Sequence, residues 1–236
     1  MNKKIVLSLL SGLLLTTTLS AEEVKTETNL SYMQSKGNSD IMNTSVDFKG
    51  EKKIEKNIYK TNINWYYSEE NSVETKNKLT VNITYEYELN KKINLNYMAQ
   101  YEDDKFSSFN YKFFTGPGVI YKAVKNQIQE LKLGVSLLYE KDKPNTGKSI
   151  DYMAVMGTEE YKYKITKTVH CAQDFSIRTE VENTDNYNAT ANFGITNKFN
   201  KYFSASVKYK IDYTNKVLPG IKNTDRVFTA GLTINY

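Results

Sequence analysis

Lys78-Leu79-Thr80-Val81-Asn82-Ile83-Thr84-Tyr85-Glu86-Tyr87-Glu88 decides the fold. Leu79, Val81, Ile83, Tyr85 and Tyr87 share one parity; Lys78, Thr80, Asn82, Thr84, Glu86 and Glu88 share the other. Side chains of a strand alternate between its two faces, so this stretch predicts a strand with one apolar and one wet side. A helix would space its apolar residues three and four apart, and this run does not.

The same alternation recurs on either side. Tyr59, Ile63, Trp65 and Tyr67 oppose Lys60, Asn62 and Asn64; Ile93, Leu95, Tyr97, Ala99 and Tyr101 oppose Asn94, Asn96, Gln100 and Glu102. Leu131, Leu133, Val135, Leu137 and Tyr139 oppose Lys132, Gly134, Ser136 and Glu140, and Phe203, Ala205, Val207, Tyr209, Ile211 and Tyr213 oppose Ser204, Ser206, Lys208, Lys210 and Asp212. Such runs number about twelve, each roughly 9–12 residues, long enough to cross a membrane at a tilt. About ten is the alternative count, because Met153-Ala154-Val155-Met156 hides its register within residues 152–177. So many strands fit a closed barrel better than a mixed globular domain. The connections are predicted to alternate as well. Short ones fall near residues 55–57, 89–92, 125–126, 166–168 and 199–201; longer charged ones fall at 69–75, 103–109, 141–149, 180–186 and 216–224. Short turns at one end and longer loops at the other suit a transmembrane barrel.

Composition excludes several other classes. Lys and Arg number 32 against 27 Asp and Glu, a net charge of +5, which falls to +3 without Lys3 and Lys4. That balance gives no basic stripe for nucleic acid. One cysteine, Cys171, allows no internal disulfide, and one histidine argues against most zinc sites. An aromatic content of 13% with 19 tyrosines argues against disorder. Residues 1–21 follow the order of a secretory signal peptide. A basic start (Lys3, Lys4) precedes an apolar stretch too short to span a bilayer, and small residues end it before Glu22. Glu22 stands where a lipidated cysteine would be needed, so the expectation is export without a lipid anchor. Residues 22–236 then form one barrel domain.

Three features predict that the apolar side faces outward into lipid. The wet side carries Lys60, Lys78, Glu86, Lys132, Lys208, Lys210 and Asp212, which a water-filled lumen accommodates. Tyrosines on the apolar side gather toward strand ends, as rings do where they meet headgroups. The chain ends in a strand whose Phe228, Ala230, Leu232, Ile234 and Tyr236 share a face. Phe228, Gly231, Leu232, Ile234 and Tyr236 make it similar to the terminal signal that outer-membrane barrels present to their assembly machinery. An unpaired backbone group in hydrocarbon costs several kcal/mol, so a first strand near residues 26–33 must pair with this last one.

Several elements, in order, resemble the salt-induced outer-membrane protein family (domain of unknown function 481). They are Gly37-Asn38-Ser39-Asp40, Tyr101-Glu102-Asp103-Asp104-Lys105-Phe106, Gly116-Pro117-Gly118-Val119-Ile120-Tyr121, Glu182-Asn183-Thr184-Asp185-Asn186-Tyr187 and Pro219-Gly220-Ile221-Lys222-Asn223-Thr224-Asp225. The resemblance implies an outer-membrane barrel of unassigned activity, with no catalytic residue to carry over.

Other chemistry is weak. Gly147-Lys148-Ser149 ends like a phosphate loop, but Asp142 stands where the motif needs a glycine. His170 shares a face with Ala172, Asp174, Ser176 and Arg178, and Ser176 lies ~20 Å along the strand, out of its reach. Cys171 reads as an apolar filler. Glu102-Asp103-Asp104 and Glu180, Glu182 and Asp185 sit near the longer loops, where a divalent cation or lipopolysaccharide is conceivable, yet charged loops need no ligand. The sequence therefore predicts an outer-membrane barrel, a narrow pore or a structural one, that is no enzyme and needs no cofactor or metal. Its expected partners are outer-membrane lipids, lipopolysaccharide and the secretion and barrel-assembly machinery. A soluble periplasmic barrel with an apolar ligand is the alternative, and an outer-membrane hydrolase the third class.

Overall fold

The computed structural model describes residues 24–35, 40–217 and 222–235. The leader and Tyr236 lie outside them. Twelve strands follow one another: β1 (Val24–Ser35), β2 (Ile41–Ile54), β3 (Asn57–Glu70), β4 (Val73–Glu88), β5 (Ile93–Asp104), β6 (Phe109–Lys125), β7 (Gln129–Pro144), β8 (Ile150–Lys164), β9 (Val169–Glu180), β10 (Tyr187–Lys198), β11 (Phe203–Thr214) and β12 (Thr224–Asn235). Each pairs antiparallel with its neighbours in sequence, and β1 pairs with β12, so the sheet closes into a barrel. The count is twelve. Within residues 152–177, Met153 and Val155 face out while Ala154 and Met156 are buried inside.

The wall is inverted relative to a soluble domain. Val135, Phe228 and Leu232 expose 62%, 64% and 59% of their surface, whereas Asn29, Asn94, Ser204 and Thr233 are buried. Small polar side chains point inward and the largest apolar ones outward, an arrangement water would penalise and hydrocarbon would reward. Two bands of rings edge the apolar belt. At the short-turn end stand Tyr59 against Tyr85 (5.4 Å between centroids) and Tyr161 beside Tyr163. At the other end stand Trp65 with Tyr67, Tyr101 with Tyr111, and Tyr187 with Tyr213. Their polar tips reach away from the belt: Tyr85 donates to Asn57 (2.7 Å), Tyr161 to Gln129 (2.9 Å), Trp65 Nε1 to Asn77 (3.2 Å) and Tyr213 to Asn215 (3.0 Å). Each ring thus keeps its apolar body in the belt and its donor in the wet layer.

Strands are longer than expected, and one predicted loop disappears. Residues 69–75 form no long loop: β3 runs to Glu70 and β4 starts at Val73, leaving a turn at Asn71 and Ser72 with φ of 50° and 64°. Both central residues with positive φ make the tight hairpin turn that matches strand twist. The charges there suggested a loop, but the ladder continues past the belt into water, where Glu69, Glu70 and Glu74 are tolerated on strands. The strict short–long alternation of connections fails at this hairpin and again at 105–108, which is no longer than the short connections 89–92, 165–168 and 199–202.

Closure is thin. Among the described residues β1 and β12 pair through Glu27, Thr28, Asn29 and Leu30 against Asn235, Ile234, Thr233 and Leu232. Asn29 compensates from inside: its Nδ2 donates to Thr233 Oγ1 (2.7 Å) and, across β12, to Ser206 Oγ (2.6 Å) on β11. Gly231 is needed here because a Cβ would lie 2.4 Å from the carbonyl oxygen of Leu30.

Candidate functional site

The barrel interior gathers paired charged side chains from many strands, so it is the candidate site. Alternation puts every second side chain of every strand inside, and twelve antiparallel strands bring residues far apart in sequence into one cross-section. Near the short turns, Lys60 bonds Glu86, Asn94 Nδ2 donates to the other oxygen of Glu86 (2.8 Å), and Glu88 accepts from Lys122 (2.8 Å) and from Lys53. Lys132 lies 3.5 Å from Glu130 and 3.6 Å from Glu160. Toward the loop end, Lys78 meets Glu102 at 3.0 Å and Lys210 meets Asp212 at 2.9 Å, while Thr190 donates to Asp212 (2.7 Å).

Lys53–Glu88, Lys122–Glu88 and Arg178–Glu140 each skip one strand, and two further ion pairs skip more. Lys208 on β11 reaches Asp47 on β2 at 3.0 Å, bypassing β12 and β1. Lys76 on β4 reaches Asp225 on β12 at 3.1 Å and Asp104 on β5 at 3.2 Å. These chords narrow the interior. Lys60, Lys78, Glu86, Lys132, Lys208, Lys210 and Asp212 therefore each have an opposite charge in reach, and neither sign is left in excess as a ring. The desolvation of a buried charge is offset only when such a partner is present.

One sector is filled with apolar atoms. Phe114, Leu138, Ala154 and Met156 form a pad on β6, β7 and β8, with Met98 and Tyr152 packed against it. Arg178 caps the pad: its guanidinium sits 4.5 Å from the centre of the Phe114 ring and pairs with Glu140 at 2.6 Å. The Tyr152 hydroxyl lies 3.0 Å from Glu140 and 3.2 Å from Asp142, and Lys112 is 3.9 Å from Asp142. Sequence reading missed this pad. Its signal was the broken alternation at Leu137-Leu138 and at Met153-Ala154-Val155-Met156, where apolar residues fall on both faces. Gly116 and Gly118 let β7 lie close beside it: a Cβ on Gly116 would stand 2.0 Å from the Leu137 carbonyl oxygen, and one on Gly118 would stand 2.2 Å from Ser136 Oγ. Pro117 between them has no N–H to give, and the β6–β7 ladder skips from Thr115 to Gly118.

Other singled-out residues are dispersed. His170 sits at the start of β9 with its Nδ1 3.3 Å from the Thr168 carbonyl, and no described hydrogen bond joins it to Asp174 or Ser176. Cys171 is free and half-buried on the outer side, opposite Tyr163 and Ile195. Gly147 lies in the β7–β8 connection with φ of 96°, its carbonyl accepting from Lys143 (2.8 Å). Among the described residues no three His, Cys, Asp or Glu side chains gather as a metal site would require. In the last strand, Phe228 and Leu232 are exposed on the outer face, Ile234 pairs with Phe203 and Thr28, and Gly231 sits at the closing seam.

Solved barrels share this architecture. A NanC porin superposes with a TM-score of 0.54 at 9% identity, covering 90% of this chain and 99% of that one. An outer membrane channel from Pseudomonas putida F1 gives 0.54 at 9% identity, covering 92% and 96%. Both likenesses concern the fold. No curated protein matches the sequence. Residues 28–236 match the family model described as a protein of unknown function, DUF481, and the chain belongs to that family.

Proposed function

We propose that the chain is an outer-membrane barrel acting as a narrow, weakly ion-selective pore. The observation that carries this is the pairing of an apolar outer belt, edged by two aromatic bands, with an interior lined by charges of both signs. A wall of this polarity is stable only where hydrocarbon meets it outside and water inside. Paired lysines and carboxylates leave little net field along the axis, so a permeating ion of either sign meets a similar barrier. Residues 1–21 direct export, and the terminal strand with Phe228, Gly231, Leu232, Ile234 and Tyr236 engages the barrel-assembly machinery. The longer-loop end then meets lipopolysaccharide. No catalytic role is assigned, and the resemblance in fold to porins and channels agrees with that.

Purified protein in a planar bilayer tests the reading. Steps of small conductance, with a reversal potential near zero across a KCl gradient, are expected; a silent bilayer removes the pore. A structural barrel is the second reading, favoured by the apolar pad and by the Lys208–Asp47 and Lys76–Asp225 chords, which narrow the interior. A soluble barrel carrying an apolar ligand fits poorly, because the inward face is the charged one. Retention in the membrane fraction after carbonate washing counts against it, and release would overturn the membrane reading.

A further inference from the structure

The outer wall carries a charge inside its aromatic bands at two places, Arg226 on β12, which pairs with Ile211 on the face of Phe228 and Leu232, and Glu159 on β8. Glu159 on β8 pairs with Leu133 and Phe175, both exposed on the outer face, so its carboxylate faces outward as well. Tyr161 and Tyr163 of the short-turn band follow on the same strand. Glu159 therefore sits two residues, about 7 Å along the strand, inside that band. Among the described residues no other outward carboxylate lies between the two aromatic bands. Its partner is Gln173 on β9, whose Nε2 donates at 3.2 Å. One neutral donor leaves most of a carboxylate's acceptor sites open, and hydrocarbon supplies none.

Beside this pair the wall is hollowed. A groove of about 480 Å³ runs over the outer face of β9, β10 and β11, with Glu159 and Gln173 among its lining and Phe175, Phe193, Tyr209 and Ile211 as walls. Ala191 gives it depth, being small among neighbours that are large. The site thus joins an acceptor-rich anionic end, one strand repeat inside the short-turn aromatic band, to an apolar trough directed along the wall.

We propose that this groove binds a phospholipid with a primary ammonium headgroup, an ethanolamine lipid of the short-turn leaflet. The inference rests on the reading that this wall faces lipid. Charge complementarity selects the headgroup: a primary ammonium donates several charge-assisted hydrogen bonds to Glu159, a quaternary one donates none, and a glycerol headgroup offers neutral hydroxyl donors with no cation to offset its phosphate. One acyl chain then lies in the trough over Ala191, against Phe175 and Phe193.

The test uses the full-length protein refolded into vesicles of palmitoyl-oleoyl phosphatidylethanolamine and phosphatidylglycerol in equal amounts. The protein is then extracted in mild detergent and weighed by native mass spectrometry. Wild type is expected to keep one ethanolamine lipid and to favour it over the glycerol lipid at least ten-fold. Glu159→Gln should lose that preference, and Ala191→Phe, which fills the trough but keeps the carboxylate, should lower retention of the ethanolamine lipid by a similar factor. Equal retention of the two lipids by wild type overturns the proposal, as does unchanged retention in both variants. A stable pair of barrels that Glu159→Gln dissociates would do the same, naming a second copy as the occupant. Failure of wild type to enter vesicles at all would instead sink the membrane reading, so the two failures are distinguishable.

Discussion

β7 and β8 pair without interruption from Gln129 to Asp142, whereas β1 and β12 share a ladder only over Glu27, Thr28, Asn29 and Leu30 among the described residues. The first region is held three times over: by backbone pairing, by the pad of Phe114, Leu138, Ala154 and Met156, and by Arg178 bound to Glu140. The seam relies on a short ladder and on two side chains: Asn29, reaching Thr233 and Ser206, and Ser31, whose Oγ donates to the Ala230 carbonyl. The difference teaches where a barrel of this kind opens first. Neighbouring strands meet through short local turns, but the two terminal strands must be brought together across the whole chain, the costliest closure in the sheet, and their ladder is short.

The largest effect should come from breaking the well-held side. Arg178→Ala leaves Glu140 buried without its charge partner and is expected to lower stability by about 3–5 kcal/mol. Urea unfolding in vesicles reads this, and adding Glu140→Gln should recover much of the loss. Next comes the outer wall. Val135→Arg on β7 and Val207→Arg on β11 each place a guanidinium toward hydrocarbon and should cost about 2–4 kcal/mol near mid-depth. Equal stability of these variants would mean that the belt does not face lipid.

At the seam, Asn29→Ala removes both side-chain bonds to β11 and β12 and should cost about 1–3 kcal/mol. Its sharper readout is hydrogen exchange: amides of β1 and β12 should lose protection while those of β7 and β8 keep it. A loss spread evenly around the barrel would show that the seam is no weaker than the rest. The smallest stability change belongs to Lys208→Ala, which opens one chord. Its ammonium is partly solvated, so about 1 kcal/mol or less is expected. The same change should raise single-channel conductance and tilt selectivity toward cations, because Asp47 is left unpaired.

Much of the fold was legible because a strand in a two-solvent wall writes its environment into every second residue. At 78–88 the alternation assigned both faces without ambiguity, and the aromatic bands could be read from Tyr59, Tyr101 and Tyr213. The signal failed where a face met the same kind of surroundings on both sides. Leu138 and Met156 point into the pad and Leu137 and Val155 point outward, so apolar residues adjoin and no period survives. It failed again at the β3–β4 hairpin, where charged residues above the belt read as loop although the backbone ladder continues. Glu159 was not legible, because Met153-Ala154-Val155-Met156 hides the register of the strand that carries it. On one strand alone a single acid in an apolar row is unremarkable; it becomes a candidate site once Gln173 and the groove over Ala191 lie beside it.

By itself the sequence determined that strands would form, which of their faces was wet, and that no unpaired edge could be left in the membrane. Periodicity is a local property, and each strand carries its own copy. Which charges meet was decided only by the closed barrel: Lys208 with Asp47 lies 161 residues away along the chain, and Asn29 with Thr233 lies 204 away. Alternation tells a side chain to point inward, but strand tilt and register choose what faces it there, and those are set by closure of the whole sheet.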